Sequence, residues 1–413
     1  MTRCELLAPA GNLNKLKLAL YYGADAVYVG GKNFSLRTFA DNFTDEELAE
    51  GIAFAHARGK KVFVAVNIFA RNADFAQLPG YFRTLERIGA DAVLVSDLGV
   101  FRVCREAAPS LPIHISTQAN TTNSQSAAMW KELGASRVVL ARELSLEEIA
   151  KIHEENPDLE LEAFVHGAMC ISYSGRCLLS DYLDGRSSNR GACVQACRYR
   201  YEIRTRECRN DGWTEVQEDE KGTYFLNSKD LNMSAHLSEL EQAGVCSFKI
   251  EGRMKSEYYL ATVVNAYRRI LDGGDLQALQ EELSCAAHRD YTTAYMLGKN
   301  GKTVSYDNSQ TKGTCEFIAV VRGYESPENG FENGSGDGTG RCGRVYAEMR
   351  TRFYEGDVLE ILSPSDAFGK EIVVTHMKDS TDAPCADAKR VQEIVSFDCP
   401  YALHEGDILR RRR

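Results

Sequence analysis

No stretch of this 413-residue chain offers the roughly 18 uninterrupted apolar residues that a membrane-crossing helix needs. The expectation is a soluble protein with no membrane partner. The opening residues, MTRCELLAPAG, lack an apolar signal region and a cleavage site and pass straight into a strand-like run, which points to the cytoplasm. A positive excess is missing too: the net charge of -10 argues against indiscriminate binding of nucleic acid and leaves that role only to a local basic patch. Neither HExxH, the zinc-protease helix, nor GxSxG, the nucleophile elbow, occurs, so no machinery for proteolysis is visible.

What is present suits a large core. With 44% hydrophobic and 26% charged residues, the length fits a barrel of roughly 250 residues plus smaller units. A short phrase recurs: GADAVYV at Gly23, GKKVFVA at Gly59, GADAVLV at Gly89, GASRVVL at Gly134 and GVCSFKI at Gly244, each behind an amphipathic stretch. Each reads as a helix, a left-handed glycine closing it, and a parallel strand buried on both faces. Thr44 with Glu47 and Ser145 with Glu148 have the spacing of capping boxes at helix starts. Strands near 4–8, 112–116 and 160–166 bring the number to eight by Ile250. The fold class is therefore α/β, a (β/α)8 TIM-like barrel, in preference to an open doubly wound sheet.

The expected domains are a barrel over 1–300, carrying a cysteine-rich insert at about 168–230, and a small C-terminal β-barrel domain over 301–413. Within the insert, YRYEIRT at 199–205 is expected to pair with TYFLN at 223–227 as a hairpin. Ser256 should open a helix with Tyr259, Val263, Tyr267 and Ile270 on one face, closed by DGGD at 272–275. From Cys315 onward, FIAVV, VLEILS, EIVVTH and VQEIVSF read as short strands without helical period. YEGDVLEI and HEGDILRR each place Gly-Asp before a strand, as a tight turn requires. PENGFENGSGDGTG reads as a loop rather than a nucleotide fingerprint.

Thirteen cysteines would suggest disulfides in a secreted chain; in a reducing compartment a clustered subset reads as metal ligands or catalytic thiols. Cys170, Cys177, Cys193 and Cys197 share one segment, with six, fifteen and three residues between successive members. That segment starts where the seventh strand should end, at the face on which barrel active sites are built. Soft thiolates select zinc or an iron–sulfur cluster, and the absence of paired CxxC knuckles favours the cluster; ordinary buried thiols are the third reading. Cys208 is a conceivable substitute ligand, and Cys246 a further thiol aimed toward the site. The other seven cysteines read as small core residues. A Cys/His nucleophile using His166 would need a free thiolate, which ligation would consume.

From Arg176 to Arg209 eight arginines face four acidic residues, a local excess of four positive charges. Arg198, Arg200 and Arg204, interleaved with Tyr199 and Tyr201, make either an anion or RNA surface or a solvated hairpin. Glu5, Asn67, Gln118, Glu162, His166, Lys249, Glu251 and Arg253 fall at strand ends and are candidates to line the barrel mouth. His166 and Glu251 are the candidates for acid–base work; equally, His166 could order the loop and Glu251 could pair internally with Arg253.

ELLAPAGN, ADAVYVGGKNFSLR, HGAMCISYSGRCLLS, GACVQACRYRY, NSKDL and SFKIEGRMKSEYY together resemble the collagenase-like peptidase family of unassigned catalytic type, the peptidase U family. Within it the chain is most similar to bacterial proteins that hydroxylate tRNA at the 5-position of the wobble uridine. The resemblance covers nearly the whole chain. It implies a 4Fe-4S cluster on Cys170, Cys177, Cys193 and Cys197, prephenate as hydroxyl source, and tRNA as partner, and it leaves room for a related partner subunit. On the RNA-modification reading, Lys249 and Arg253 would hold a dicarboxylate, and the arginine hairpin, with Arg198, Arg200 and Tyr199, would receive the RNA. A collagenase-like peptidase and a non-catalytic cluster protein are the competing functions.

Overall fold

The computed structural model describes residues 4–32, 34–35, 42–170, 172–199, 204–206, 213–215, 228–298, 311–326 and 342–413. The chain divides into two compact units. The first comprises Met1–Leu20, Ala24–Lys255 and His288–Thr311; the second comprises Tyr21–Gly23, Ser256–Ala287 and Lys312–Arg413.

The first unit is a closed parallel barrel. Its strands are β1 (Glu5–Pro9), β2 (Ala26–Gly30), β3 (Lys61–Val66), β4 (Ala92–Val95), β5 (Ile113–Ile115), β6 (Arg137–Val139), β7 (Glu160–Ala168) and β8 (Val245–Ile250). They pair in sequence order, and β8 closes the ring by pairing with both β1 and β7, Glu5 opposite Ser247 and Glu162 opposite the same serine. Every residue of β2 and β4 is buried, as strands covered on both faces must be. All five glycines of the recurring phrase have positive φ, from 66° at Gly59 to 103° at Gly23, so each ends a helix in the left-handed conformation before the next strand. The two capping boxes form, Thr44 Oγ1 accepting from the Glu47 N–H and Ser145 Oγ from the Glu148 N–H.

The barrel interior near the strand starts is polar. Arg137 binds Glu5 (2.7 Å), Glu160 (2.8 Å) and Glu162 (3.1 Å), and Ser247 Oγ donates to Glu5 at 2.8 Å. Glu5 and Glu162 therefore belong to an internal ion network beneath the mouth, Glu162 also binding Lys249 (2.6 Å), and neither lines the cavity described below. Beyond β8's partner, the extended end of β7 also pairs antiparallel with Asp230–Asn232.

Inside the insert, Arg204–Arg206 pairs with Trp213–Glu215. The expected partner, 223–227, lies outside the described residues. The glycine-rich segment within 327–341 lies outside them as well.

In the second unit, Ser256 caps the helix Glu257–Leu271 through its side chain, which accepts from the Tyr259 N–H. An antiparallel sheet of six strands follows: β9 (Cys315–Glu325), β10 (Gly343–Met349), β11 (Val358–Leu362), β12 (Glu371–Val373), β13 (Ile394–Cys399) and β14 (Ile408–Arg412), ordered β12-β11-β14-β9-β10-β13. Strand β10 was not among the expected runs; its buried residues alternate strictly with half-exposed polar ones, which hides it from a search for apolar runs. The two Gly-Asp turns behave alike: Asp357 accepts from the Tyr354 N–H and Asp407 from the His404 N–H, each at 2.8 Å, immediately before β11 and β14. No helix among the described residues is long and apolar enough to cross a membrane.

Candidate active site

The C-terminal ends of the strands surround a cavity of about 460 Å³. That size lies within the usual range for small-molecule sites, about 300–1,000 Å³. Tyr28, Leu94, Val139 and Phe164 give it apolar walls, and Asn67, Gln118, Lys249, Glu251 and Arg253 reach it from the ends of β3, β5 and β8. These five were singled out from the sequence because polar side chains just past a barrel strand project into the mouth.

The cysteine segment roofs this cavity. Cys170 lies two residues past β7, and the chain then folds back across the mouth. Asn120 Nδ2 donates to the Ser174 carbonyl (2.8 Å), and the Phe69 N–H donates to the Asn189 carbonyl (3.1 Å). These bonds fix the roof to the loops that follow β5 and β3. Within it, Ser188 Oγ and Asn189 Nδ2 both donate to the Cys177 carbonyl, at 2.7 and 3.0 Å. Between Cys193 and Cys197 the chain turns through Gln195, a non-glycine residue at φ 59°, whose N–H points at Cys193 Sγ at 3.4 Å. A left-handed glutamine is costly enough to need a reason, and here the turn brings the last two thiols to the same side.

Cys170, Cys177, Cys193 and Cys197 all line the cavity. Burial pushes the Cys170 and Cys197 thiols up, and the neighbouring thiols push them further; the Ser172 N–H and Arg142 oppose this at Cys170, and Arg198 at Cys197. As free groups these two would hold their protons and make poor nucleophiles; bound iron or zinc would displace the protons, and the surrounding N–H and guanidinium donors suit the resulting anionic sulfur. Among the described residues no three His, Cys, Asp or Glu side chains converge closely enough for a single metal ion. Sulfurs that ligate the outer corners of a multi-iron cluster stand farther apart, and the donor set fits that group.

Cations crowd the same space. Lys249 Nζ donates to Glu162 Oε1 at 2.6 Å and sits 4.4 Å from the centre of the Tyr28 ring; burial lowers its pKa. Arg142 lies 3.8 Å from the centre of the Phe164 ring and pairs with Glu251 at 3.2 Å, a partner that the sequence did not suggest for that carboxylate. Arg253 donates to Ser35 Oγ at 2.7 Å. Burial, with Arg289 nearby, lowers the pKa of Arg198, and burial lowers that of Lys255, which also lines the cavity.

Other sequence candidates lie elsewhere. His166 is buried on β7 against the Tyr291 ring, 5.4 Å between centres, outside the cavity lining; burial pushes it down to about 3, which keeps it neutral. Cys246 is turned away, its Sγ directed at the Leu161 carbonyl (3.4 Å). Tyr199 is exposed beside Arg198, while Arg200 and Cys208 lie outside the described residues. Sequence reasoning missed Arg142, Lys255 and Ser116, although Arg142 and Ser116 stand just beyond β6 and β5 and the same strand-end rule would have found them.

A (β/α)8 barrel roofed by a four-cysteine segment and followed by an antiparallel β domain defines the class of protein. The chain belongs to peptidase family U32: the model of that family matches residues 11–306, and that of the peptidase family U32 C-terminal domain matches 314–410. It is 37% identical to the tRNA hydroxylation protein P1 of Bacillus subtilis, over 98% of this chain and 94% of that protein. It is 38% identical to the 23S rRNA 5-hydroxycytidine C2501 synthase of Escherichia coli, over 78% of this chain and 50% of that one. It is 30% identical to a protein named collagenase from Porphyromonas gingivalis, over 71% of this chain and 74% of the other.

Proposed function

We propose that this protein is an RNA-hydroxylating enzyme of the cytoplasm that places a hydroxyl group on the 5-position of the wobble uridine of tRNA. The observation that carries the reading is the roof: four thiols facing one cavity of ligand size, in a chain whose relatives are named for tRNA and rRNA hydroxylation. Cys170, Cys177, Cys193 and Cys197 would hold a 4Fe-4S cluster. Such a group supplies redox or Lewis-acid chemistry at the cavity. Arg253, Arg142 and Lys255 would neutralise the carboxylates of prephenate as hydroxyl source, with Lys249 adding charge from below. The apolar walls would exclude water from the base, which must leave its stack to be modified on the ring. The arginines and tyrosines of the roof and its hairpin would receive the RNA backbone and neighbouring bases.

A second reading, peptidase activity, has the collagenase-named relative in its favour. Two of the cavity thiols count against it, since burial biases Cys170 and Cys197 toward their protonated forms. The test is mass spectrometry of tRNA nucleosides from a deletion strain, with related genes also removed, complemented by wild type or Cys193→Ser. Restoration of 5-hydroxyuridine derivatives by wild type alone supports cluster-dependent hydroxylation. Unchanged nucleosides in the deletion strain overturn it.

A further inference from the structure

The side of the cavity built by β3 and β5 differs from the cationic side built by β6 and β8. Asn67, just past β3, donates from Nδ2 to Ser116 Oγ at 3.0 Å, and Ser116, just past β5, also receives the Gln118 N–H at 3.5 Å. These bonds tie two strand ends into one polar ledge. Both side-chain carbonyl oxygens of the ledge, Asn67 Oδ1 and Gln118 Oε1, are shielded from solvent and accept no hydrogen bond among the described residues, although both residues line the cavity. Buried acceptors are nearly always paired, and an unpaired one in a cavity marks the place where a ligand donates.

Two carbonyl oxygens repel a phosphate or carboxylate, which present only acceptors. They fit a neutral planar ring with N–H groups on its edge, and the Tyr28, Leu94 and Phe164 walls fit the faces of such a ring. We propose that Asn67 and Gln118 read the hydrogen-bonding edge of an extruded uracil by sharing its single N–H donor on that edge, N3–H, between their two carbonyl oxygens. This rests on the RNA reading above and adds to it which residues select the base. Held at N3, the ring turns its C5–C6 edge away from the ledge and into the remainder of the cavity.

The test uses the holoprotein, purified without oxygen, and two anticodon stem-loop RNAs that carry either uridine or 3-methyluridine at the wobble position. The methyl group removes the N3–H donor. Wild type should bind the uridine RNA roughly tenfold more tightly than the methylated one, the scale of one buried hydrogen bond. Asn67→Leu and Gln118→Leu, close to isosteric but without the acceptor, should each lose that preference by weakening only the uridine complex, with iron content and melting temperature held. Should one variant not fold, the other carries the comparison. Tight binding of both RNAs by wild type, or a preference that survives both substitutions, overturns the base-reading role while leaving RNA hydroxylation standing. Failure of wild type to bind either RNA overturns the RNA reading and this inference together.

Discussion

Arg190 grips Asp74 as a fork, Nη1 to Oδ2 at 2.9 Å and Nη2 to Oδ1 at 3.2 Å. The arginine belongs to the roof, between Cys177 and Cys193, and the aspartate to the short turn Asn72–Ala76 after β3. Arg190 also donates to the Phe69 carbonyl at 2.5 Å and holds the Asp74 carboxyl below the usual carboxylate range. Half-exposed ion pairs contribute little to global stability, about 0–1 kcal/mol, so the latch matters for the position of the roof rather than for folding.

Asp74→Asn should therefore leave the melting temperature nearly unchanged, while the cluster proposed above would be lost faster in air. Iron and sulfide content against time, measured beside wild type, checks this; equal rates would show that the latch has no bearing on the proposed metal centre.

His166 gives the pH dependence a sign. Its ordinary value of 6.5 falls to about 3 on burial, so between those limits the unfolded chain binds a proton that the native chain refuses. Stability is then complete above pH 6.5 and falls as the solution is acidified through that window, by up to about 1.4 kcal/mol per pH unit for one proton. His114, also buried and lowered, adds to the same limb. His166→Gln should flatten the slope of denaturation midpoint against pH between 6.5 and 5 without abolishing it. An unchanged slope would refute the assignment.

Arg410 is fully buried and bound on two sides, to Glu282 (2.5 and 2.6 Å) and to Glu360 (3.1 Å). Arg410→Met leaves the buried Glu282 carboxylate with Arg412 at 3.9 Å, while Glu360 keeps Arg412 at 2.5 Å, and should destabilise the second unit by about 3–5 kcal/mol. Adding Glu282→Gln and Glu360→Gln should recover most of the loss. Calorimetry of the single and triple variants makes the comparison.

Gly244 has φ 93°, and a methyl group there would collide with the His153 ring. Gly244→Ala should cost the barrel about 1–3 kcal/mol, read as a lowered melting temperature, because both the backbone strain and the packing clash oppose it. His153→Ala in the same chain should relieve only the clash.

Much of the barrel could be read directly, since each glycine of the recurring phrase is needed locally to end a helix and each apolar run is long enough to stand alone. Strand ends supplied Asn67, Gln118, Lys249, Glu251 and Arg253 by the same local logic. What escaped depends on pairing across the fold. Arg142 as the partner of Glu251 follows from the neighbourhood of β6 and β8, which no spacing encodes. Cys246 was misplaced because alternation along β8 sends Ser247 and Lys249 inward, to Glu5 and Glu162, and turns their neighbour to the other face. The strand Trp213–Glu215 was missed because three-residue strands carry almost no periodic signal.

Closure of the ring through Glu5 and Ser247 also sets an order of events during synthesis. The first strand must wait for almost 250 residues to leave the ribosome before its second neighbour exists. All four roof cysteines emerge before that moment. The newborn chain therefore carries its thiols ahead of the scaffold that aims them, and any group the roof takes up meets a finished site only after the last barrel strand has docked.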